Sequence, residues 1–325
     1  MSIDEEKLIG LYPELHHYTG WEALKGIVSL NTFWATHYKY LNDLTEVVHM
    51  KAYLASLVPR NRPERRSAVK KIQELYDKTF TKFVTPYIVS FTTHSAGSDF
   101  DRENGITNQW IPSKASDGSE IGGYGRHGCA LVFDARQLND MINREFESFL
   151  YSQTTLSNVV YNQGIDGFKL SFTSLIPEAS WFLWDKDAEL RPGYKGLPKN
   201  YARAEEFINE FVKSAVSFKH GKWSQEQEVR IVAHPKHVSE LAYIKDTDPD
   251  DIKALRNRQP KQIHHRKKDG RTIPFIKLFD GLNATLPIKR IIVAPDKDQA
   301  ALYEQVKRLV ADTIPVHRSE LELDR

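Results

Sequence analysis

The stretch that most constrains this chain is Phe218 to Val232, FKHGKWSQEQEVRIV. A helix-like amphipathic run ends in Gly221, a Trp follows, and a short acidic strand comes next. With period two, Glu226, Glu228 and Arg230 share one face, and Val229, Ile231 and Ala233 share the other. The apolar face belongs against a core. The charged face then presents two carboxylates and a guanidinium side by side. Carboxylates on a half-buried strand are costly unless they have partners or a task. Two readings stand: a surface strand whose Glu–Arg pair contributes little, or a catalytic Glu-x-Glu.

The rest of the chain must supply what that strand packs against. Its 325 residues, 40% hydrophobic and 27% charged, suit an ordinary soluble globular protein. The expected organisation is a single domain over 1–325, with a helical insertion at about 44–83 and a basic loop at about 256–271. The net charge of +2 gives no global argument for nucleic acid. One cysteine, Cys129, excludes an internal disulfide and a cysteine-based metal site. It sits in the apolar run GCALVF and reads as a buried strand residue. The acidic N-terminus lacks the apolar core of a signal peptide, and no apolar run approaches membrane-spanning length. A cytoplasmic location is expected.

In chain order, ELHHYTG (14–20) reads as a strand into a turn. WEALKGIVS reads as a helix, capped by Thr19 with Glu22 three residues on. TFWATHYKYLND reads as a strand into a turn. Helices are expected near 44–58 and 67–83, on either side of a basic, proline-containing break. PYIVSFTT (86–93) is a strand, followed by a long polar loop through HSAGSDFDRENGITNQW and a glycine-rich turn, IGGYGRHG. GCALVFD (128–134) is a strand, and DARQLNDMINREFESFL a helix capped by Asp134. TLSNVVYN reads as a strand. YARAEEFINEFVKSAVSFK carries a helical apolar stripe. PFIKLF follows the basic segment. LPIKRIIVAP, a helix over about 297–312 and IPVHRSEL form a strand–helix–strand unit.

Four places could carry chemistry: His17, Tyr18 and Thr19 in ELHHYTG; Ser90 in the VSFTT strand; Gln109, Trp110 and Tyr124 around the glycine-rich turn; and Glu226-x-Glu228-x-Arg230. Each taken alone has an ordinary structural explanation. His16 and His17 are adjacent and cannot easily share a metal on one strand face, and His264 and His265 have the same problem within the basic loop, so metal chemistry is not expected. No HExxH, phosphate-binding loop or G-x-S-x-G pattern occurs. The basic run RNRQPKQIHHRKKDGR, with Arg266, Lys267 and Lys268, is either a solvated loop or a phosphate-contacting segment. It contains no aromatic residue to stack a base.

Taken in order, HYT, W-A-T-x-Y-x-x-L-N-D-x-x-E, V-S-F, QW…YG…G-x-A-L-x-F, F-K…W…E-x-E-x-R and I-x-x-I-I-V-x-P resemble one family. It is the bacterial domain-of-unknown-function family numbered 2971, remotely similar to ADP-ribosyltransferases. The resemblance covers residues 12 to 316. It implies an α+β fold: an ADP-ribosyltransferase-like split β-sheet around an NAD cleft, with peripheral helices. It implies an NAD-dependent ADP-ribosyltransferase, a glycosyltransferase acting on NAD. Such proteins include bacterial toxins and phage-defence effectors that modify RNA, DNA or protein, some with an antitoxin or chaperone partner.

By the same resemblance Glu228 is the catalytic glutamate and Glu226 orients the acceptor. His17 and Thr19 correspond to a His-x-Thr/Ser that holds the NAD ribose. Tyr18 departs from the usual middle glycine. Ser90 lies in the middle strand, Trp110 and Tyr124 line the nicotinamide pocket, and Arg230 holds a carboxylate ionised or contacts a phosphate. NAD is the substrate and no metal is implied. Two alternatives remain at this point: an NAD glycohydrolase, and a non-catalytic module that binds nucleic acid or a partner on the same fold.

Overall fold

The computed structural model describes residues 3–41, 70, 85–94, 98–111, 113–114, 120–121, 123–124, 127–161, 209, 212–213, 215–219, 221–244, 246–247, 250–268, 270–311 and 313–322. The expected helical insertion at 44–83 lies outside them, apart from helical Lys70. The described fold is mixed α+β, built on a large mixed sheet of eleven strands.

The strands are, in chain order, β1 (Glu14–Gly20), β2 (Phe33–His37), β3 (Tyr87–Thr92), β4 (Ser113–Lys114), β5 (Glu120–Ile121), β6 (Gly128–Asp134), β7 (Phe149–Asn158) and β8 (Val160–Tyr161). They continue as β9 (Phe218–Lys219), β10 (Glu228–Pro235), β11 (Gln259–Pro260), β12 (Ile263–Lys268), β13 (Arg271–Leu278), β14 (Ile288–Val293) and β15 (Val316–Arg318). The large sheet runs β11-β7-β10-β3-β1-β6-β14-β15. β13 joins it through β2, and β12 pairs with β13. β4–β5 and β8–β9 are separate two-stranded ladders.

The α-helices with described bounds are α1 (Ile3–Leu11), α2 (Trp21–Leu30), α3 (Asp99–Asn104), α4 (Thr107–Trp110), α5 (Ala135–Ser148), α6 (Asp250–Ala254) and α7 (Gln299–Val310). The main core lies on one face of the sheet. There Leu15, Phe33, Phe91, Leu131, Phe133, Val229, Ile231 and Ile276 meet Leu24 of α2, Ile142 of α5 and Val306 of α7. Asp134 caps α5 by accepting from the Gln137 N–H at 2.9 Å, as its sequence predicts. A smaller cluster on the other face joins Tyr18, Trp110, Ala130, Val132, Ile292 and Ala294. β14, α7 and β15 form the expected strand–helix–strand unit, with β14 and β15 parallel.

A buried network anchors α5. Glu145, fully buried, accepts from Lys261 Nζ at 2.6 Å, from the Tyr151 hydroxyl at 2.8 Å and from the Phe279 N–H at 3.1 Å. Burial pushes its carboxyl above the usual range, against the pull of Lys261. A buried acid with all these donors is tolerated; unpaired it would not be. The network ties the helix to the chain that leads into β12.

The sheet forks at Ser90. One edge of β3 pairs with β10 from Tyr87 to Thr92. The other edge is shared: β2 takes Tyr87 and Ile88, and β1 takes Thr92. Ser90 lies between them. His17 Nδ1 bonds the Ser90 carbonyl at 2.9 Å, supplying a side-chain partner where the backbone ladder parts. The His17 ring packs edge-on to Phe33 at 5.1 Å and tilted against Phe91 at 5.6 Å.

Several local expectations change. Gly20, without a side-chain cap, precedes α2, because Thr19 is committed to β1 opposite Cys129. The expected polar loop after β3 contains α3 and α4, and Ser98 caps α3 through the Asp101 N–H at 3.2 Å. The strand expected at TLSNVVYN begins earlier, at Phe149. The run entering Gly221 ends as β9, although Val212, Ala215 and Val216 before it are helical and buried. The basic segment expected as a loop is strand for most of its length, forming β11, β12 and the first residue of β13.

Candidate functional site

β10 carries the site. Val229, Ile231 and Ala233 point into the main core, so Glu228 and Arg230 take the opposite face. Both are buried, Glu228 at 5% exposure and Arg230 at 1%. Arg230 Nε donates to Glu228 Oε1 at 2.8 Å, and Nη2 to Oε2 at 3.0 Å. Arg230 Nη1 also donates to the Val216 carbonyl. Lys219 on β9 bridges the two acids, reaching Glu226 Oε2 at 2.6 Å and Glu228 Oε2 at 3.1 Å. The Glu228 N–H donates to the Tyr161 hydroxyl at 3.0 Å, joining β8 to the same corner.

Glu226 is not on the strand. It ends the 3₁₀ segment Gly221–Glu226, and Gln227 follows with φ of +43°. The Gln227 carbonyl accepts from both the N–H and the hydroxyl of Thr93, each at 2.9 Å. This pinned left-handed residue turns the chain, and Lys219 gathers the two carboxylates on one ammonium. Period two therefore reaches back only to Glu228.

The two acids titrate apart. Burial pushes Glu228 up, but Arg230, Lys219 and a side-chain hydrogen bond from Ser90 outweigh it and hold the carboxyl well below its usual range. Burial raises Glu226, Glu228 adds to that, and Lys219 only partly offsets it. Side-chain exposure is 18% at Glu226 against 6% at Glu228. Glu228 is thus a fixed anion, and Glu226 is the more accessible carboxyl, with a greater tendency to hold a proton. Two acids pushed apart in this way suit proton transfer beside a stationary charge.

Ser90 faces this pair. It lies opposite Arg230 on β3 and is exposed in the middle of a strand whose other residues are buried. The floor is therefore open at the fork. Thr92 lies opposite Glu228 on one side and His16 on the other, so the three occupy one row across β10, β3 and β1.

That row separates the predicted histidine from the carboxylates. His17 and Thr19 point to the main-core face, because neighbours on a strand alternate. His17 is placed to hold Ser90 from behind, and the residue in the Glu228 row is His16. His16 is fully buried, and neither ring nitrogen has a hydrogen-bond partner. Its ring lies 5.6 Å from that of His94.

The aromatic residues divide as well. Trp110 is fully buried, donates to the Asn104 carbonyl at 2.9 Å and meets Tyr18 edge-on at 4.8 Å. Tyr18 accepts from the Ile106 N–H at 2.7 Å. Both are scaffold, whereas Tyr124, half-buried and 6.2 Å from the Tyr18 ring, retains exposed surface. Burial raises the Tyr124 hydroxyl, and Glu226 and Glu228 add to the rise. Gly128 is required beneath it: a Cβ there would lie 1.8 Å from the Tyr124 carbonyl oxygen.

The structure thus brings together Glu226, Glu228, Arg230 and Ser90, with Tyr124 close enough to feel both acids. It leaves His17 and Thr19 on the other face, and Tyr18 and Trp110 in packing roles. Arg266, Lys267 and Lys268 belong to β12, with Arg266 and Lys268 on one face and Lys267 on the other. Sequence reasoning missed Lys219 and Tyr161. Phe218-Lys219 was visible as a motif, but only folding brings Lys219 to both acids. Among the described residues, no group of three or more His, Cys, Asp or Glu is placed to hold a metal. No helix among them is long and apolar enough to cross a membrane. Comparisons with family models, curated proteins and solved structures found no match to the chain.

Proposed function

We propose that this chain is an NAD-dependent ADP-ribosyltransferase whose chemistry occurs at the Glu226–Glu228 end of β10. One observation carries the reading. The strands bearing Glu228, Ser90 and His17 are neighbours in that order, and the sheet forks at Ser90 beside the carboxylate pair. This supports an ADP-ribosyltransferase-like split sheet around a cleft.

Cleavage of the nicotinamide–ribose bond passes through an oxocarbenium-like state. A buried anion held by Arg230 and Lys219 needs no reorganisation to stabilise that charge. The Ser90 hydroxyl marks where a ribose hydroxyl would meet Glu228. Glu226, with its raised pKa, takes the proton of the acceptor. Tyr124 offers an aromatic surface for the cationic nicotinamide ring. His17 positions Ser90 through its carbonyl instead of gripping the ribose.

A second reading has its own support: both Glu228 oxygens already receive donors from Arg230 or Lys219, as in a structural clamp. The site would then belong to a non-catalytic binding module.

The deciding experiment incubates purified protein with adenine-labelled NAD and, separately, RNA, DNA and cell-lysate protein. Transfer lost in Glu226→Gln and Glu228→Gln, and reduced in Ser90→Ala, supports the transferase. Nicotinamide release without transfer turns the assignment to NAD hydrolysis. A wild-type protein that neither binds nor consumes NAD overturns it in favour of the clamp.

A further inference from the structure

β12 and β13 pair as a basic hairpin in place of the expected loop, and β2 extends them into a three-stranded ribbon. No residue of β2, β12 or β13 is acidic, while Arg266, Lys267, Lys268, Arg271 and Lys277 are basic. Register sorts them. Ile276 and Leu278 face the main core with Phe33 and Ala35. His264, Arg266, Lys268, Arg271, Ile273, Phe275, Lys277, Trp34 and Thr36 therefore share the outer face, on which Trp34, Lys268 and Arg271 are exposed while Ile273 and Phe275 are buried.

That face supplies the aromatic surface that the basic segment itself lacks. Trp34 is 41% exposed and stacks on Phe275, with ring centroids 4.4 Å apart and planes at 25°. Phe275 stacks in turn with His264 at 5.5 Å. The Arg266 guanidinium lies 5.9 Å from the Trp34 ring and 6.0 Å from Phe275. Its Nη2 is held by the Thr36 hydroxyl at 3.1 Å, while its buried Nε has no partner. Through the Thr36↔Ile88 pair, this face is also continuous with the one bearing Ser90 and Glu228.

We propose that the outer face of β2–β13–β12 is a docking surface for single-stranded nucleic acid. Cations along a ribbon track a phosphate backbone. An exposed, pre-stacked tryptophan beside a fixed guanidinium binds an unstacked base. Both features are on one face, and no acid of the ribbon strands opposes the charge. A duplex hides its base faces from such a platform. An acidic peptide would satisfy the charges but leave the exposed surface of Trp34 uncovered.

The test uses fluorescence anisotropy with a labelled single-stranded oligonucleotide, its duplex and a polyglutamate peptide, without NAD. The full chain should bind the single strand tightest, with affinity falling as salt rises. Trp34→Ala should weaken it on the order of tenfold, the loss of one base stack. The exposed pair Lys268→Glu with Arg271→Glu should weaken it and flatten the salt dependence, with thermal melts confirming folded protein. Equal duplex binding with a silent Trp34→Ala, stronger binding of polyglutamate, or no oligonucleotide binding would each overturn the proposal. Because NAD is absent, these outcomes are independent of the transferase reading.

Discussion

Glu228 and Arg230, two residues apart on β10, form a two-point ion pair with contacts of 2.8 and 3.0 Å while almost wholly buried. The alternation that makes them neighbours on one face also removes both from water. Each offsets the cost of burying the other.

Arg230→Met should therefore destabilise the fold by about 3–5 kcal/mol, because it leaves a buried carboxylate with Lys219 as its remaining cation. Arg230→Met combined with Glu228→Gln should recover part of the loss. Urea unfolding of the single and double variants measures this coupling.

Acid should destabilise the protein from near neutral pH downward. Burial chiefly lowers His16 from 6.5 to about 3. In Glu14, Arg290 and Lys289 outweigh burial and lower it from 4.5 to about 2. Both folded-state values are depressed, so the unfolded chain takes up protons first. The His16 contribution is complete above 6.5 and is lost as pH falls toward about 3. That of Glu14 is lost between 4.5 and about 2. His16→Leu should flatten the upper part of the Tm-versus-pH curve and, by removing two unpartnered nitrogens, leave neutral-pH stability little changed or higher.

Lys219→Met tests the division of labour between the two acids. Lys219 is the largest influence lowering Glu226, so its loss raises that carboxyl further. If Glu226 must be ionised to accept a proton, the acid limb of the pH–rate profile moves to higher pH. Glu228 keeps its two contacts from Arg230. An unmoved limb with reduced rate would instead assign Lys219 to positioning alone.

Gly128→Ala should disturb the Tyr124 turn, since its Cβ would fall 1.8 Å from the Tyr124 carbonyl oxygen. The expected result is a lower Tm and a loss of NAD turnover larger than the loss of folded protein. Equal losses would show that Tyr124 matters only to stability.

Much of the strand pattern was legible in the sequence. PYIVSFTT, GCALVFD and the alternating VRIVA of β10 announce themselves through β-branched and aromatic residues. The basic hairpin was also readable in one respect. Asp269-Gly270 is a strong two-residue turn signal, and Gly270 has φ of +73°. Its flanking strands were hidden because lysine, arginine and histidine occupy positions where alternation is normally recognised by apolar residues.

The sequence by itself determined which residues can alternate, cap and pair locally: the Glu228–Arg230 face, the Asp134 cap and the buried Cys129 all follow from short-range spacing. Only the tertiary structure decided that Lys219 joins Glu226 to Glu228, that His16 instead of His17 shares the Glu228 row, and that Trp34 completes a basic ribbon encoded over two hundred residues later. These relationships depend on strand order and register. A one-residue change in register reverses every face, and no local periodicity states which distant strand will become the neighbour.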